Sequence, residues 1–213
     1  RLERVLARRS FAVVHVSESQ AAEARALGLA PAGRTRVIVN GIDAAFVRAA
    51  AASAPISRAT LGLRPDALVL ATVARFDPVK RLEVLLRALP LLVARVPEAQ
   101  LLIVGDGPGR KLLQALARTL GVGDRVVFAG AIPDASRVLP LVDLYVTASR
   151  REGLPLAVLE AMACGLPVLA TEAPGHVDAV ESEVTGRLVA LDDAPGLATE
   201  AGLLLRDPVL RAR

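Results

Sequence analysis

The sequence predicts an α/β protein built on a doubly wound parallel sheet with helices on both faces. Three observations predict it. From Leu61 onward, short β-rich runs alternate with helical patterns at the spacing of successive strand–helix units. The run Ala67 to Ala74 is apolar on both faces, as a buried parallel strand must be. Two of the helical patterns stop at glycines, Gly121 and Gly165, which suit the left-handed position after a helix.

The elements follow in order. Leu2 to Arg9 reads as a basic helix, Phe11 to Val16 as a strand, Glu18 to Leu27 as a helix, and Arg36 to Val39 as a strand ending in the turn Asn40-Gly41. Ala44 to Pro55 is Ala-rich and weakly patterned, and reads as a linker at a domain boundary. After the strand at 67–74, Lys80 to Val96 has helical period, with Pro90 expected to kink it or end it early. Gln100 to Val104 is a strand, Arg110 to Leu120 a helix, Arg125 to Phe128 a strand, and Asp134 to Val142 a short helix. Leu144 to Thr147 is a strand and Pro155 to Cys164 a helix. Pro167 to Ala170 is a strand, His176 to Glu183 a short helix, and Gly186 to Val189 the last strand, before a helix from about Pro195.

Composition narrows the function. Of 213 residues, 53% are hydrophobic and 23% charged, which suits a folded domain and not a disordered tail. Aromatics are only 2%, too few for a base-stacking nucleic-acid surface. Cys164 is the single cysteine, so no internal disulfide forms and a reducing compartment is the simplest setting. The Leu-rich run from Leu82 to Val96 is broken by Glu83, Arg87 and Arg95, and so does not span a membrane. The net charge of +4 sits in the first 50 residues, which hold eight Arg against four acids. A solvated helix face explains that excess, and attraction to an anionic surface is the alternative. With no initiator Met and an end inside a helical pattern at Arg213, the chain is expected to be part of a longer one.

Three constellations carry chemistry. Arg75 lies where a strand ends and Lys80 where the next helix begins, and ligands of doubly wound sheets bind beyond the strands' carboxyl ends. Two cations there suit a diphosphate, one a fork and one a point charge. The alternative is that Arg75 pairs with Asp77 and Lys80 is solvated. The second constellation is Arg150 to Glu160. Pro155 suits a first helical turn, leaving the N–H groups of Leu156 and Ala157 free for an anion. Glu160 is the only charge between Pro155 and Cys164, and a carboxylate among apolar neighbours needs hydrogen-bond partners such as sugar hydroxyls; an exposed polar stripe is the alternative. The third is Gly105-Asp-Gly-Pro-Gly109, which has neither dinucleotide-fingerprint nor Walker A spacing and reads as a tight turn. His15 reads as a packed strand residue. His176 is either a ligand-facing loop residue or a helix start. No His/Cys/Asp group has metal spacing, and Ser149 and Cys164 have no visible base.

Taken together, Val73-Ala-Arg75, Lys80, Leu101 to Pro108, Asp124 to Phe128, and Glu152-Gly-Leu-Pro-Leu-Ala-Val-Leu-Glu160 followed by Ala161 to Thr171 resemble the C-terminal domain of family 4 retaining glycosyltransferases, from about Ser17 to Arg211. Two glutamates with seven residues between them, in this context, are the specific part. The resemblance implies one Rossmann-like half of a two-domain GT-B fold and a nucleotide-diphospho-sugar donor, with transfer to an acceptor hydroxyl. It implies that Arg75 and Lys80 hold the diphosphate without a metal or other cofactor, and that Leu156 and Ala157 add backbone N–H groups. Glu152, Gly153 and Leu154 would hold the donor sugar, Glu160 the ribose, and the loop near Ile132 the base. Of these, Glu152, Arg75 and Lys80 are the expected catalytic residues. The sequence departs from the family at Ala74, where Gly is usual, and at Pro174-Gly175, where Gly-Gly is common.

The resemblance divides the chain into residues 1–40, the tail of a truncated N-terminal acceptor domain; 41–58, the inter-domain hinge; and 59–213, the nucleotide-sugar-binding domain, truncated at its end. Expected partners are the donor and a carbohydrate or lipid-linked acceptor, with no nucleic acid. The expected location is the cytoplasm, with peripheral membrane contact through the missing half left open. A non-catalytic nucleotide-binding module of the same fold is the runner-up, and a sugar-nucleotide epimerase a weaker third.

Overall fold

The computed structural model describes residues 2–53 and 56–211. Arg1, Ala54, Pro55, Ala212 and Arg213, and with them the expected ends of the linker and of the last helical pattern, lie outside the described residues.

The opening segment holds helix α1 (Leu2–Arg9), strand β1 (Val13–His15), helix α2 (Glu18–Ala26) and strand β2 (Thr35–Val37). β1 and β2 pair in parallel, Val13 against Thr35 through His15 against Val37. Helices α3 (Ala44–Ser53) and α4 (Arg58–Leu61) then lead into the main sheet. That sheet contains β3 (Leu68–Val73), β4 (Ala99–Val104), β5 (Val126–Gly130), β6 (Leu144–Thr147), β7 (Val168–Thr171) and β8 (Arg187–Val189). The six strands are all parallel, in the order β5-β4-β3-β6-β7-β8. The expected α/β doubly wound architecture is therefore present. The chain runs outward from β3 to one edge, returns to β6 beside β3, and runs to the other edge.

The sheet is apolar on both sides, and successive residues divide between two layers. Leu70, Leu101, Ile103, Leu144, Val146 and Leu169 face a core completed by α5 (Leu82–Val93), α6 (Arg110–Thr119) and α9 (Ala194–Arg206). Val69, Ala71, Leu102 and Val104 face the other way, against Val138 and Val142. Tyr145, Val168 and Ala170 face Val158 and Ala161 of α7 (Leu156–Ala163). A parallel strand buried on both faces has no polar side to alternate with, which is why these runs read as continuous apolar stretches.

Several boundaries differ from the sequence expectation. The Ala-rich stretch read as a linker is helix α3 over 44–53, with Val47 and Ala51 buried, packed against the 135–141 turn and α7. The Asp43 side chain accepts the N–H of Phe46 at 2.9 Å, an N-terminal cap that outweighs the lack of periodicity. The helix expected from Lys80 begins two residues later. Residues 78–80 form a 3₁₀ turn, Arg81 takes a left-handed conformation, and α5 then continues past Pro90 to Val93. The segment 135–141 is 3₁₀ and not α, with Pro140 inside it. Pro155 caps α7 from outside instead of occupying its first turn. The helix α8 (His176–Ala179) stops four residues early, because Val180 is extended and buried in the core. Among the described residues no helix is long and apolar enough to cross a membrane.

Candidate functional site: the mouth of the parallel sheet

The strand order reverses between β3 and β6, so the two crossovers leave in opposite directions and open a crevice beyond the carboxyl ends of these strands. The loops that follow β3 and β6 carry Arg75 and Lys80 on one side, and Glu152 to Leu154 on the other.

Lys80 and Glu152 meet across this crevice, Nζ to Oε1 at 2.6 Å, with side chains 23% and 16% exposed. Lys80 is thus paired, and not solvated. The Glu152 backbone N–H is held by the Pro174 carbonyl at 2.9 Å. Gly175 (φ 85°) lies against it; a Cβ there would sit 2.8 Å from the Glu152 Cβ and carbonyl oxygen. The Pro174-Gly175 departure therefore keeps the one glycine that lets the two loops touch. Arg75 stays on the surface, its guanidinium held by Asp77 through Nε (2.8 Å) and Nη2 (2.7 Å). That is the alternative partner the sequence offered, while Lys80 bonds to Glu152. Asp77 also accepts the Val79 N–H at 3.2 Å, capping the 3₁₀ turn that ends at Lys80.

Gly105-Asp-Gly-Pro-Gly109 serves packing, as expected of a tight turn. A Cβ at Gly105 (φ 126°) would lie 2.0 Å from the Ala74 carbonyl oxygen, and one at Gly107 2.9 Å from the Phe76 backbone. The loops after β3 and β4 are joined by Phe76 N–H to the Asp106 carbonyl (2.9 Å) and Gly109 N–H to the Phe76 carbonyl (3.2 Å).

On the β6 side, Leu154 is buried and Leu156 half exposed, while the N–H groups of Leu156 and Ala157 open α7 with no acceptor among the described residues. Glu160, one turn further on, is half buried. Burial first, and the Asp134 carboxylate second, push its carboxyl above the usual range. It lines a cleft of about 440 Å³ together with Ile132, Asp134, Val73 and, from the segment before α3 and α3 itself, Asp43 and Phe46. Ile132 and Glu160 thus line one cleft. Phe46, Asp43 and Asp134 were not singled out in the sequence; only chain folding places them here.

Tyr145, on β6 beneath both glutamates, was also missed. Its hydroxyl accepts the Val73 N–H at 3.3 Å. Burial, and then the charges of Glu152 and Glu160, push its phenol far up, so it stays neutral. Gly153 has no side chain because Val16 comes within 2.9 Å of where its Cβ would be, so the opening segment abuts the site loop. His176 is fully buried, with Nδ1 2.9 Å from the Thr171 carbonyl, and opens helix α8, the second of the two readings. His15 is also buried, as expected. Among the described residues no three His, Cys, Asp or Glu side chains stand together to hold a metal ion.

A crevice at the topological switch point of a doubly wound parallel sheet is where α/β domains of this class bind their ligands. The chain belongs to the family of glycosyl transferases group 1, whose model matches residues 53–213. It is 39% identical over 159 residues to the GDP-mannose-dependent alpha-(1-6)-phosphatidylinositol monomannoside mannosyltransferase of Mycolicibacterium smegmatis, covering 70% of this chain and 40% of the relative. It is 36% identical over 204 residues to D-inositol 3-phosphate glycosyltransferase 2 of Catenulispora acidiphila, covering 90% and 47%. The solved structure of HepE from Anabaena in complex with UDP and glucose superposes with a TM-score of 0.87 at 26% identity, covering 99% of this chain and 58% of that one. Sucrose-phosphate synthase from Thermosynechococcus elongatus does so with a TM-score of 0.84 at 31% identity, covering 99% and 53%. The chain spans less than half the length of these two curated relatives.

Proposed function

We propose that the chain is the donor-binding, C-terminal half of a family 4 retaining glycosyltransferase, which transfers a sugar from a nucleotide-diphospho-sugar to an acceptor hydroxyl. The observation that carries this reading is the Lys80–Glu152 contact at the switch point, beside the open N–H groups that begin α7. The diphosphate lies against Lys80 and the N–H groups of Leu156 and Ala157, where the helix N-terminus adds partial positive charge. Arg75 exchanges Asp77 for a phosphate oxygen. As the sugar–phosphate bond breaks, negative charge grows on the leaving diphosphate, and these fixed donors stabilise it without a metal or other cofactor. On donor binding, Lys80 exchanges its bond to Glu152 for phosphate, which frees the Glu152 carboxylate, with Gly153 and Leu154, to hold sugar hydroxyls. Glu160 grips the ribose; burial and then the Asp134 carboxylate raise its proton affinity without a ligand, and hydrogen bonds from ribose hydroxyls would favour its charged form. Ile132 lies under the base.

Residues 1–40 belong to the tail of the acceptor domain and 41–58 to the hinge, so α3 is a hinge helix docked on the donor half. The acceptor is a carbohydrate or a lipid-linked one; relatives named for phosphatidylinositol mannoside and inositol phosphate support that class. The lone cysteine fits a cytoplasmic location.

Calorimetric titration with UDP-, GDP- and ADP-sugars tests the site. Lys80→Ala and Glu160→Ala are each expected to weaken the preferred donor about tenfold, the equivalent of one charge-assisted hydrogen bond. Unchanged affinity in both variants would overturn the assignment.

A further inference from the structure

Among the described residues three non-glycines have positive φ, and two of them, Arg81 (φ 50°) and Asp192 (φ 61°), are bonded to each other. Arg81 donates Nε and Nη2 to Asp192 Oδ1 at 2.8 and 2.6 Å, and Nη1 lies 2.5 Å from Glu83. The other carboxylate oxygen of Asp192 accepts from Arg150 Nη2 at 3.0 Å, and the Arg150 backbone N–H donates to the Val79 carbonyl at 2.9 Å. One carboxylate, on the loop after β8, thus holds residues immediately beside Lys80 and two before Glu152. The left-handed turn at Arg81 is what separates the 3₁₀ turn carrying Lys80 from α5. A residue with a Cβ does not hold that conformation unaided.

We propose that Asp192 is a positioning residue for the Lys80–Glu152 pair, acting by clamping Arg81 in its left-handed turn and Arg150 beside it. The inference rests on the donor-site reading above. It makes a prediction of unusual sign. Removing a negative charge near a diphosphate site should by Coulomb's law tighten anion binding, whereas loss of the clamp should weaken it.

The test is titration of the 213-residue chain with UDP, GDP and ADP, taking whichever binds tightest, in the wild type, Asp192→Ala, Arg81→Gly and the double variant. Asp192→Ala is expected to melt cooperatively and to lose about fivefold in affinity, the equilibrium equivalent of one unsupported left-handed residue. Arg81→Gly should bind within about twofold of wild type, because glycine takes positive φ freely. The double variant should recover most of the loss, which neither a charge effect nor general destabilisation would do. Asp192→Ala binding as tightly as wild type or tighter, or no recovery in the double variant, would overturn the proposal. Lys80→Ala in the same series separates the two ideas: if it binds like wild type, the donor-site reading falls. The positioning inference is then decided by a crystal structure of Asp192→Ala, in which an intact Lys80–Glu152 contact refutes it and a broken one sustains it.

Discussion

At the residue scale, the protein buries polar groups that are each costly alone. His176 is the clearest case. A carbonyl can only accept, so the contact with Thr171 O fixes the hydrogen on Nδ1. Nε2 is buried with no partner. Burial is the main reason its pKa is lowered, Lys80 adds to that, and the Thr171 carbonyl and Glu152 oppose it. Because the folded-state pKa lies below the ordinary value of 6.5, the unfolded chain binds the proton more readily. Its contribution to stability is therefore present above about pH 6.5 and lost as pH falls towards the folded-state value. The urea midpoint of the wild type is expected to drop on acidification through this window. His176→Gln should flatten that slope; a wild-type midpoint constant from pH 7.5 to 5 would contradict it. Asp178 titrates lower: hydrogen bonds from Ser19 and Gly175 outweigh burial and hold its carboxyl below the ordinary value of 3.8, outside this window.

At the element scale, α5 keeps a proline that helix chemistry argues against. Pro90 supplies no N–H to the Leu86 carbonyl, and its ring crowds that turn. The helix survives because Leu82, Leu85, Leu86, Leu89 and Leu92 are buried against the sheet and α9. Tertiary burial of five leucines outweighs a local penalty of about 3 kcal/mol. Pro90→Ala is expected to raise the unfolding free energy by about 1–2 kcal/mol, less than the full penalty, because proline also restricts the unfolded chain. Denaturant unfolding measures it, and a destabilised variant would show that the ring packs productively. The same competition ran the other way in α3, where an alanine run with little amphipathic pattern became a helix through its cap and its docking.

For the whole molecule, stability is divided unevenly between a six-stranded sheet covered on both faces and a two-stranded pair at the front of the chain. The opening segment is held to the rest by the Ser19 hydroxyl and backbone on Asp178, by Ser19 on the Gly175 N–H (2.8 Å), and by Arg151 with Glu23. These polar contacts lie at or near the surface, and such pairs contribute little each. Val14 and Phe11 remain exposed. Hydrogen exchange is therefore expected to be slowest in β3, β4, β6 and β7, and faster by orders of magnitude in β1 and β2. Equal protection across both sheets would mean that the two parts open as one unit.

What the sequence determined by itself was the layered parallel architecture and the positions of its main strands. Double-sided burial writes continuous apolar runs such as Leu101–Val104, and glycines at left-handed helix ends punctuate them. It also marked Glu160, because a charge in an apolar helix stands out in a one-dimensional string, and Lys80 and Glu152, because they fall in the loops beyond the strands' carboxyl ends. Tertiary structure alone decided which of these charges meet. It set Lys80 on Glu152, chose Asp77 as the partner of Arg75 from the two readings the sequence left open, brought Phe46 and Asp134 to Glu160, and joined Arg81 to Asp192. Apart from the local Arg75–Asp77 pair, such contacts link residues tens of positions apart through loop geometry, and side-chain periodicity carries no record of where two loops cross.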